Sequence, residues 1–154
     1  MRTLSLAAVF CCVASAVSAG ARDDATVLMP EDPAQRKIWE DWGFAEIIVA
    51  GDSAYVSGVV AGLRQGETDL EAAYTRAFDR IGTSLTRAGL SWDDVVDITS
   101  YHTDLTTQMP AIIKVKHRYV KAPFPAWTAI GVSRLIPDRG LTEIKVVAKL
   151  PARK

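Results

Sequence analysis

Hydrophobic and polar positions divide the chain into a leader, a polar arm and one patterned domain. After Met1 and Arg2 an apolar run extends from Leu4 to Val17, broken only by Ser5 and Ser15. It exits through Ser18, Ala19, Gly20 and Ala21 before Arg22, Asp23 and Asp24 stop it. A basic start, a short apolar core and a small-residue exit are the marks of a secretory signal peptide. The run is also shorter than the roughly 20 residues that span a bilayer. Residues 1–21 are therefore expected to be removed on export, leaving a periplasmic or secreted protein with no membrane attachment. Residues 22–43 read as a loose polar arm with Pro30 and Pro33. Within it Ile38, Trp39 and Trp42, three or four positions apart, predict one or two helical turns packed on the domain.

From Phe44 the pattern becomes regular. Phe44 to Ala50 and Ala54 to Val60 read as strands joined by the turn residues Gly51-Asp52-Ser53. Thr68-Asp69-Leu70-Glu71 has the spacing of a capping box. Leu70, Tyr74, Ala77, Phe78, Ile81 and Leu85 then recur at helical spacing up to Gly89, which is placed to close the helix in a left-handed conformation. Val95 to Thr103 predicts a third strand. A second helix is expected from Thr106 or Thr107, with Pro110 in its first turn. Its apolar stripe is Met109, Ile112, Ile113 and Val120, and its basic side (Lys114, Lys116, His117, Arg118, Lys121) reads as a solvated face. Ala126 to Arg134 and Leu141 to Ala148 complete a β-β-α-β-α-β-β order. Residues 44–150 thus form one α+β domain, two helices on one sheet, with 151–154 as a short tail.

One strand carries a further expectation. The even positions of the fourth strand (Ala126, Thr128, Ile130, Val132) can face the helices. Its odd positions (Trp127, Ala129, Gly131, Ser133) then form a second face without charge. A solvated face would carry polar side chains, so this face calls for a cover, and a second subunit is the simplest one.

Composition narrows the function. Lysine plus arginine and aspartate plus glutamate number 18 each among 154 residues, so no long-range field favours nucleic acid. Cys11 and Cys12, the only cysteines, leave with the leader. Two histidines without cysteines make no zinc site. Gly58, Gly62 and Gly66 lack the Lys-Ser/Thr of a phosphate loop. His102, two residues from Asp104, has the makings of an acid/base pair, and equally of a strand-end residue with a satisfied hydrogen bond.

Several segments, in their order and spacing, resemble the RidA/YjgF family: Ala54-Tyr55-Val56-Ser57-Gly58, Arg87-Ala88-Gly89-Leu90, Trp92-Asp93-Asp94-Val95-Val96, Thr103-Asp104-Leu105, Phe124-Pro125-Ala126, Val132-Ser133-Arg134-Leu135 and Glu143-Ile144. The resemblance spans roughly residues 44 to 150. It implies a chorismate-mutase-like α+β fold and a homotrimer with a central barrel and three clefts between subunits. It implies imine/enamine deaminase activity on a small molecule, without metal or organic cofactor. In the family an arginine after Phe-Pro-Ala binds the substrate carboxylate, and a glutamate on the last strand handles water.

The family set is only partly present. Glu143 falls at the glutamate, and Ser57-Gly58 at the serine-glycine that helps line the cleft. Trp127 stands where the arginine would, Ala129 where a cysteine is frequent, Phe44 at a tyrosine and Ile112 at an asparagine. An indole cannot pair with a carboxylate as a guanidinium does, so an anionic substrate needs another cation. Arg134, at opposite parity to Trp127, does not substitute simply; Lys145, in phase with Glu143, is the better placed. Glu143 and Lys145 equally suit a structural strand pair, and Trp127 suits interface packing as well as ligand stacking. Two functions remain from this reading: an exported deaminase-type hydrolase with altered preference, and a non-catalytic trimer binding small molecules or proteins through the same cleft.

Overall fold

The computed structural model describes residues 20–151, so the leader lies almost wholly outside the described residues. The elements are β1 (Thr26–Leu28), α1 (Pro33–Trp42), β2 (Ile47–Ala50), β3 (Ser53–Gly62), α2 (Leu70–Arg87), a 3-10 turn at Trp92–Asp94, β4 (Val95–His102), α3 (Leu105–Tyr119), β5 (Ala126–Gly131) and β6 (Gly140–Lys149). They form one six-stranded sheet in the order β1-β2-β3-β6-β4-β5. Only β4 and β5 pair in parallel, with α3 as their crossover; α2 carries the chain from β3 to β4 across β6. This is the expected α+β arrangement with an extra strand and helix at its start.

Burial alternates cleanly along the central strands. On β6 the residues Thr142, Ile144, Val146 and Ala148 are buried, while Glu143, Lys145 and Lys149 are not. The buried set meets Tyr74, Ala77, Phe78, Ile81 and Leu85 of α2 and Ile112 and Val115 of α3 in one core. A period of two in the strands against 3.6 in the helices produces that single apolar layer. The other face of the sheet lies away from α2 and α3 and presents Tyr55, Glu143, Lys145 and Ile130, the first 47 % exposed.

The turn readings hold at two glycines. Gly51 (φ 61°) lies in the two-residue loop between the partners Ala50 and Ser53, and Gly89 (φ 74°) follows α2. The amide of Leu90 returns to the carbonyl of Leu85, closing the helix end.

Other expectations are corrected. The arm is not loose: Thr26–Leu28 pairs with β2, and Pro33–Trp42 is a full helix, capped by Asp32 and Gly43, whose Trp39 stacks on Phe44 at 4.4 Å. The first strand of the domain starts at Ile47 rather than Phe44, because residues 43–46 turn in from α1. The N-cap of α2 is Asp69, whose carboxylate accepts from the amides of Glu71 and Ala72. Thr68 is not the cap, and Glu71 binds Lys114 and Arg118 of α3. Pro110 lies inside α3 rather than in its first turn, because Asp104 caps the helix and starts it at Leu105.

The parity of β5 is the reverse of the expectation. Its parallel register places Trp127 beside Ile98 and Ala129 beside Ser100, on the helix-covered face. Trp127 and Ala129 are half-buried, while Ala126, Thr128 and Ile130 are exposed. Both faces of this strand are uncharged, so its alternation alone carried no direction; the hydrogen bond from the Trp127 indole N–H to Ser100 Oγ at 2.9 Å supplies it. The uncovered face is still uncharged along β5. The strand ends at Gly131, so Arg134 lies beyond it.

Candidate functional site

Glu143 is positioned by a defect in the sheet. Val56 pairs with Val146 and Val59 with Ile144, so Ser57 and Gly58 together oppose Lys145 as a bulge. The Glu143 carboxylate lies directly against Gly58: a β-carbon there would sit 1.8 Å from Oε1 and 2.6 Å from Cδ. Only a residue without a side chain leaves room for it. Ser57 ties the bulge to the preceding loop by donating its hydroxyl to the Ala45 carbonyl at 2.7 Å. Phe44 belongs to that loop, stacked on Trp39 and tilted against Trp42.

These residues share a cleft of about 730 Å³ on the uncovered face, lined by Trp42, Phe44, Ser57, Gly58, Val60, Arg134, Leu135, Ile136 and Glu143. Its walls are largely apolar, with one carboxylate and one guanidinium. Glu143 makes no side-chain hydrogen bond or ion pair with a described residue. Among the described residues Arg134 pairs only with Asp138, at 2.7 Å, both side chains being largely exposed. Placing Arg134 in the Glu143 cleft departs from the sequence reading and follows from the early end of β5. Lys145 lines an adjoining cavity of about 670 Å³ with Phe44, Ser57 and Tyr55. The structure thus brings together Phe44, Ser57, Gly58, Glu143 and, at one remove, Lys145.

Trp127 and Ala129 lie on the opposite side. With Trp127 on the helix face and Glu143 on the open face, the sheet stands between them. A ligand small enough for these clefts cannot touch both within one protomer. Lys116 sits beside Trp127, its ammonium 4.7 Å from the centre of an indole ring. Sequence reading placed Lys116 on a solvated face, yet it is buried. The signal was present: Lys116 is four positions from both Ile112 and Val120, within the apolar stripe. Burial lowers its pKa from the ordinary lysine value.

His102 is completely buried and does not meet Asp104. Its Nε2 lies 2.9 Å from Ser100 Oγ and its Nδ1 3.1 Å from Thr142 Oγ1. Thr142 also contacts the Tyr74 hydroxyl at 2.8 Å and donates to Gln108 Oε1 at 3.1 Å. Asp104 spends its carboxylate on the amides of Thr106 and Thr107 and the Thr107 hydroxyl. Burial lowers the His102 pKa from its ordinary value and raises that of Tyr74. The network joins α2, α3, β4 and β6 at the centre of the domain. Through Ser100, the shared partner of His102 and Trp127, it also fixes the indole.

Among the described residues no group of three or more His, Cys, Asp or Glu side chains converges as a metal site, and no helix is long and apolar enough to cross a membrane.

The chain is similar to known proteins over nearly all of this domain. Residues 39–150 match the family model described as Endoribonuclease L-PSP. RutC family protein YjgH of Escherichia coli K12 is 38% identical over 124 residues, covering 77% of this chain and 92% of that protein. A solved structure described as protein YJGH superposes with a TM-score of 0.69 at 34% identity, covering 83% of this chain and 98% of that one. RidA from the Antarctic bacterium Psychrobacter sp. PAMC 21119 gives a TM-score of 0.62 at 26% identity, covering 70% and 89% of the two chains. Rv2704 of Mycobacterium tuberculosis, at 22% identity, matches in fold with a TM-score of 0.70 over 82% of this chain and 99% of its own. The chain belongs to the RidA/YjgF family.

Proposed function

We propose that the protein is exported and assembles as a homotrimer. In its inter-subunit clefts it acts as an imine/enamine deaminase-type hydrolase with a substrate preference altered from that of the family. The observation that carries this reading is the Glu143 carboxylate, uncommitted to any described side chain and lodged over Gly58 in an apolar-walled cleft. Glu143 takes a proton from water as the oxygen adds to the imine carbon and passes it to the substrate nitrogen, giving a neutral carbinolamine. Glu143 then moves the hydroxyl proton of the carbinolamine to that nitrogen as the C–N bond breaks. Ammonia leaves, the carbonyl forms, and the carboxylate is regenerated. No step calls for a metal or organic cofactor.

The placement of Glu143 and Trp127 on opposite faces supports a cleft shared between protomers, one supplying the open face and the next its β5 edge. The uncharged, uncovered side of β5 supports assembly as well. Trp127 favours a second reading, in which the same cleft binds a small molecule or a protein partner without turnover.

Freshly generated imino acids supplied to the purified protein decide between the two. Oxo-acid release above the uncatalysed rate, lost in Glu143→Gln, is the expected result. A gain on 2-aminoacrylate-type substrates in Trp127→Arg, abolished by adding Glu143→Gln, extends it. Release at the background rate from wild type and Trp127→Arg alike rules out the hydrolase for this substrate class. Intact mass of the exported product tests loss of residues 1–21, and solution mass tests the trimer.

A further inference from the structure

α1 is a well-formed helix that buries none of its ten residues, although Asp32 and Gly43 cap its two ends. A surface helix ordinarily sinks an apolar stripe into the core. Here the stripe is Ile38, Trp39 and Trp42, and it lines a cavity of about 610 Å³ shared with β3, α2 and the loop before β6. Trp39 stacks on Phe44 at 4.4 Å, while Trp42 is left 63 % exposed and Ile136, on the same cavity, 68 % exposed. Aromatic walls around roughly 300–1,000 Å³ are the character and size of a small-molecule site.

The charge at this cavity has one sign. Arg64 reaches it from the loop after β3, Arg80 from α2 and Arg139 from the loop before β6, and no acidic residue lines it. None of the three has an ion-pair partner among the described residues. The guanidinium of Arg80 lies 5.8 Å from the centre of the Trp39 ring, so charge and aromatic wall adjoin. Trp42, Phe44, Gly58, Val60 and Ile136 line both this cavity and the Glu143 cleft, whereas these arginines line only the former. One ligand can thus run from Glu143 along the aromatic wall to the arginines. It gains from both only if it is flat and apolar along the wall and negative at the arginine end. A neutral ring leaves the guanidiniums to water, and an aliphatic anion leaves the indole so.

We propose that the pocket under α1 binds an aryl anion, its ring against Trp42 and its negative group among Arg64, Arg80 and Arg139. Binding does not need turnover. The step from ligand to substrate rests on the hydrolase reading above: the substrate then carries its charge on an aromatic group remote from the imine carbon at Glu143. A charge recognised there makes no demand on position 127, where a tryptophan stands.

Calorimetric titration of the full chain with naphthalene-2-sulfonate, beside naphthalene-2-sulfonamide and methanesulfonate, tests it. Wild type is expected to bind the aryl anion about tenfold more tightly than either counterpart, the scale of one charge-assisted contact or one aromatic stack. Trp42→Ala loses the advantage over methanesulfonate. Arg64→Gln combined with Arg139→Gln loses the advantage over the sulfonamide. Lys37→Gln, exposed on α1 and not lining the cavity, keeps both. Ile38→Glu, at an exposed position and compatible with a helix, sets a carboxylate in the cavity and abolishes binding, so the test stands even if Trp42→Ala unseats α1. Glu143→Gln still binds the aryl anion, and oxo-acid release at the background rate leaves that binding untouched, so failure of the hydrolase and failure of this proposal are read separately. Equal affinity for the three ligands, wild-type affinities in Ile38→Glu or in the double arginine variant, or an equal loss in Lys37→Gln overturns the proposal. No binding of the aryl anion by wild type, together with an altered assembly mass in Trp42→Ala, overturns it in favour of a second copy over the groove.

Discussion

Replacing Gly58 by alanine separates the position of Glu143 from the stability of the fold. The new methyl carbon would stand 1.8 Å from Oε1, 2.6 Å from Cδ and 2.7 Å from Cγ of Glu143. Those atoms belong to one side chain whose end can turn, so the clash resolves by rotating the carboxylate away. The backbone raises no objection, because Gly58 is not among the glycines with positive φ. An off-rotamer side chain costs about 0.5–1.5 kcal/mol. Restricting the unfolded chain by a Gly→Ala change returns about 0.4–1 kcal/mol. Net stability should therefore stay within about 1 kcal/mol of wild type.

The hydrolysis proposed for Glu143 has no such compensation. Restoring ordinary van der Waals contact moves the carboxylate by about 1.5 Å, and a misplacement of about 1 Å is enough to lower a rate roughly 100-fold. The assay pairs thermal denaturation with oxo-acid release from a freshly generated imino acid. The expected outcome is a near-unchanged melting temperature with kcat down about two orders of magnitude. Wild-type kcat in a folded Gly58→Ala protein would refute the reasoning, since the carboxylate would then work from a place it cannot occupy.

Further outcomes follow from the polar contacts. His102 has a folded pKa lowered by burial from 6.5. Above pH 6.5 it is neutral in both states. As pH falls below that value the unfolded chain gains a proton that the folded chain resists, so the stability this group contributes is lost toward acid. The urea midpoint of wild type should fall more between pH 7.5 and pH 5.5 than that of His102→Gln, and parallel slopes would contradict it. Glu46 holds Arg87 at 2.6 Å with both side chains largely buried, and Arg87 in turn donates to the Met29 carbonyl. Glu46→Ala should cost about 1.5–3 kcal/mol by denaturant unfolding and loosen residues 26–31, read as faster amide exchange there.

How far the sequence could be read depended on whether a residue's surroundings lay nearby in the chain. Gly89 and Gly51 were legible because turn geometry is local. The core of α2 was legible because its stripe has one period and one partner surface. The face of Trp127 was not, because both sides of β5 are uncharged and only its register against β4 separates them. His102 beside Asp104 suggested a pair, but the strand turns His102 inward while Asp104 caps the next helix. Arg134 is out of phase with Trp127 only in a strand that runs on to it; β5 ends at Gly131, and past that point strand parity no longer applies. Lys116 was concealed by its charge, which outweighed its place in an apolar stripe. Glu143 and Gly58 were marked by resemblance, but their contact across a bulge depends on a register no single segment encodes.

The sheet that separates Glu143 from Trp127 also has a genetic consequence. In the assembly we propose, each working cleft draws its glutamate from one protomer and its indole from the next around a closed ring. A chain carrying Glu143→Gln and a chain carrying Trp127→Ala would each be impaired alone. Refolded together in equal amounts, they meet at random around the ring, and about one junction in four joins an intact glutamate to an intact tryptophan. Two impaired alleles would then complement in one cell, and the recovered fraction would report the architecture of the cleft without any structure of the complex.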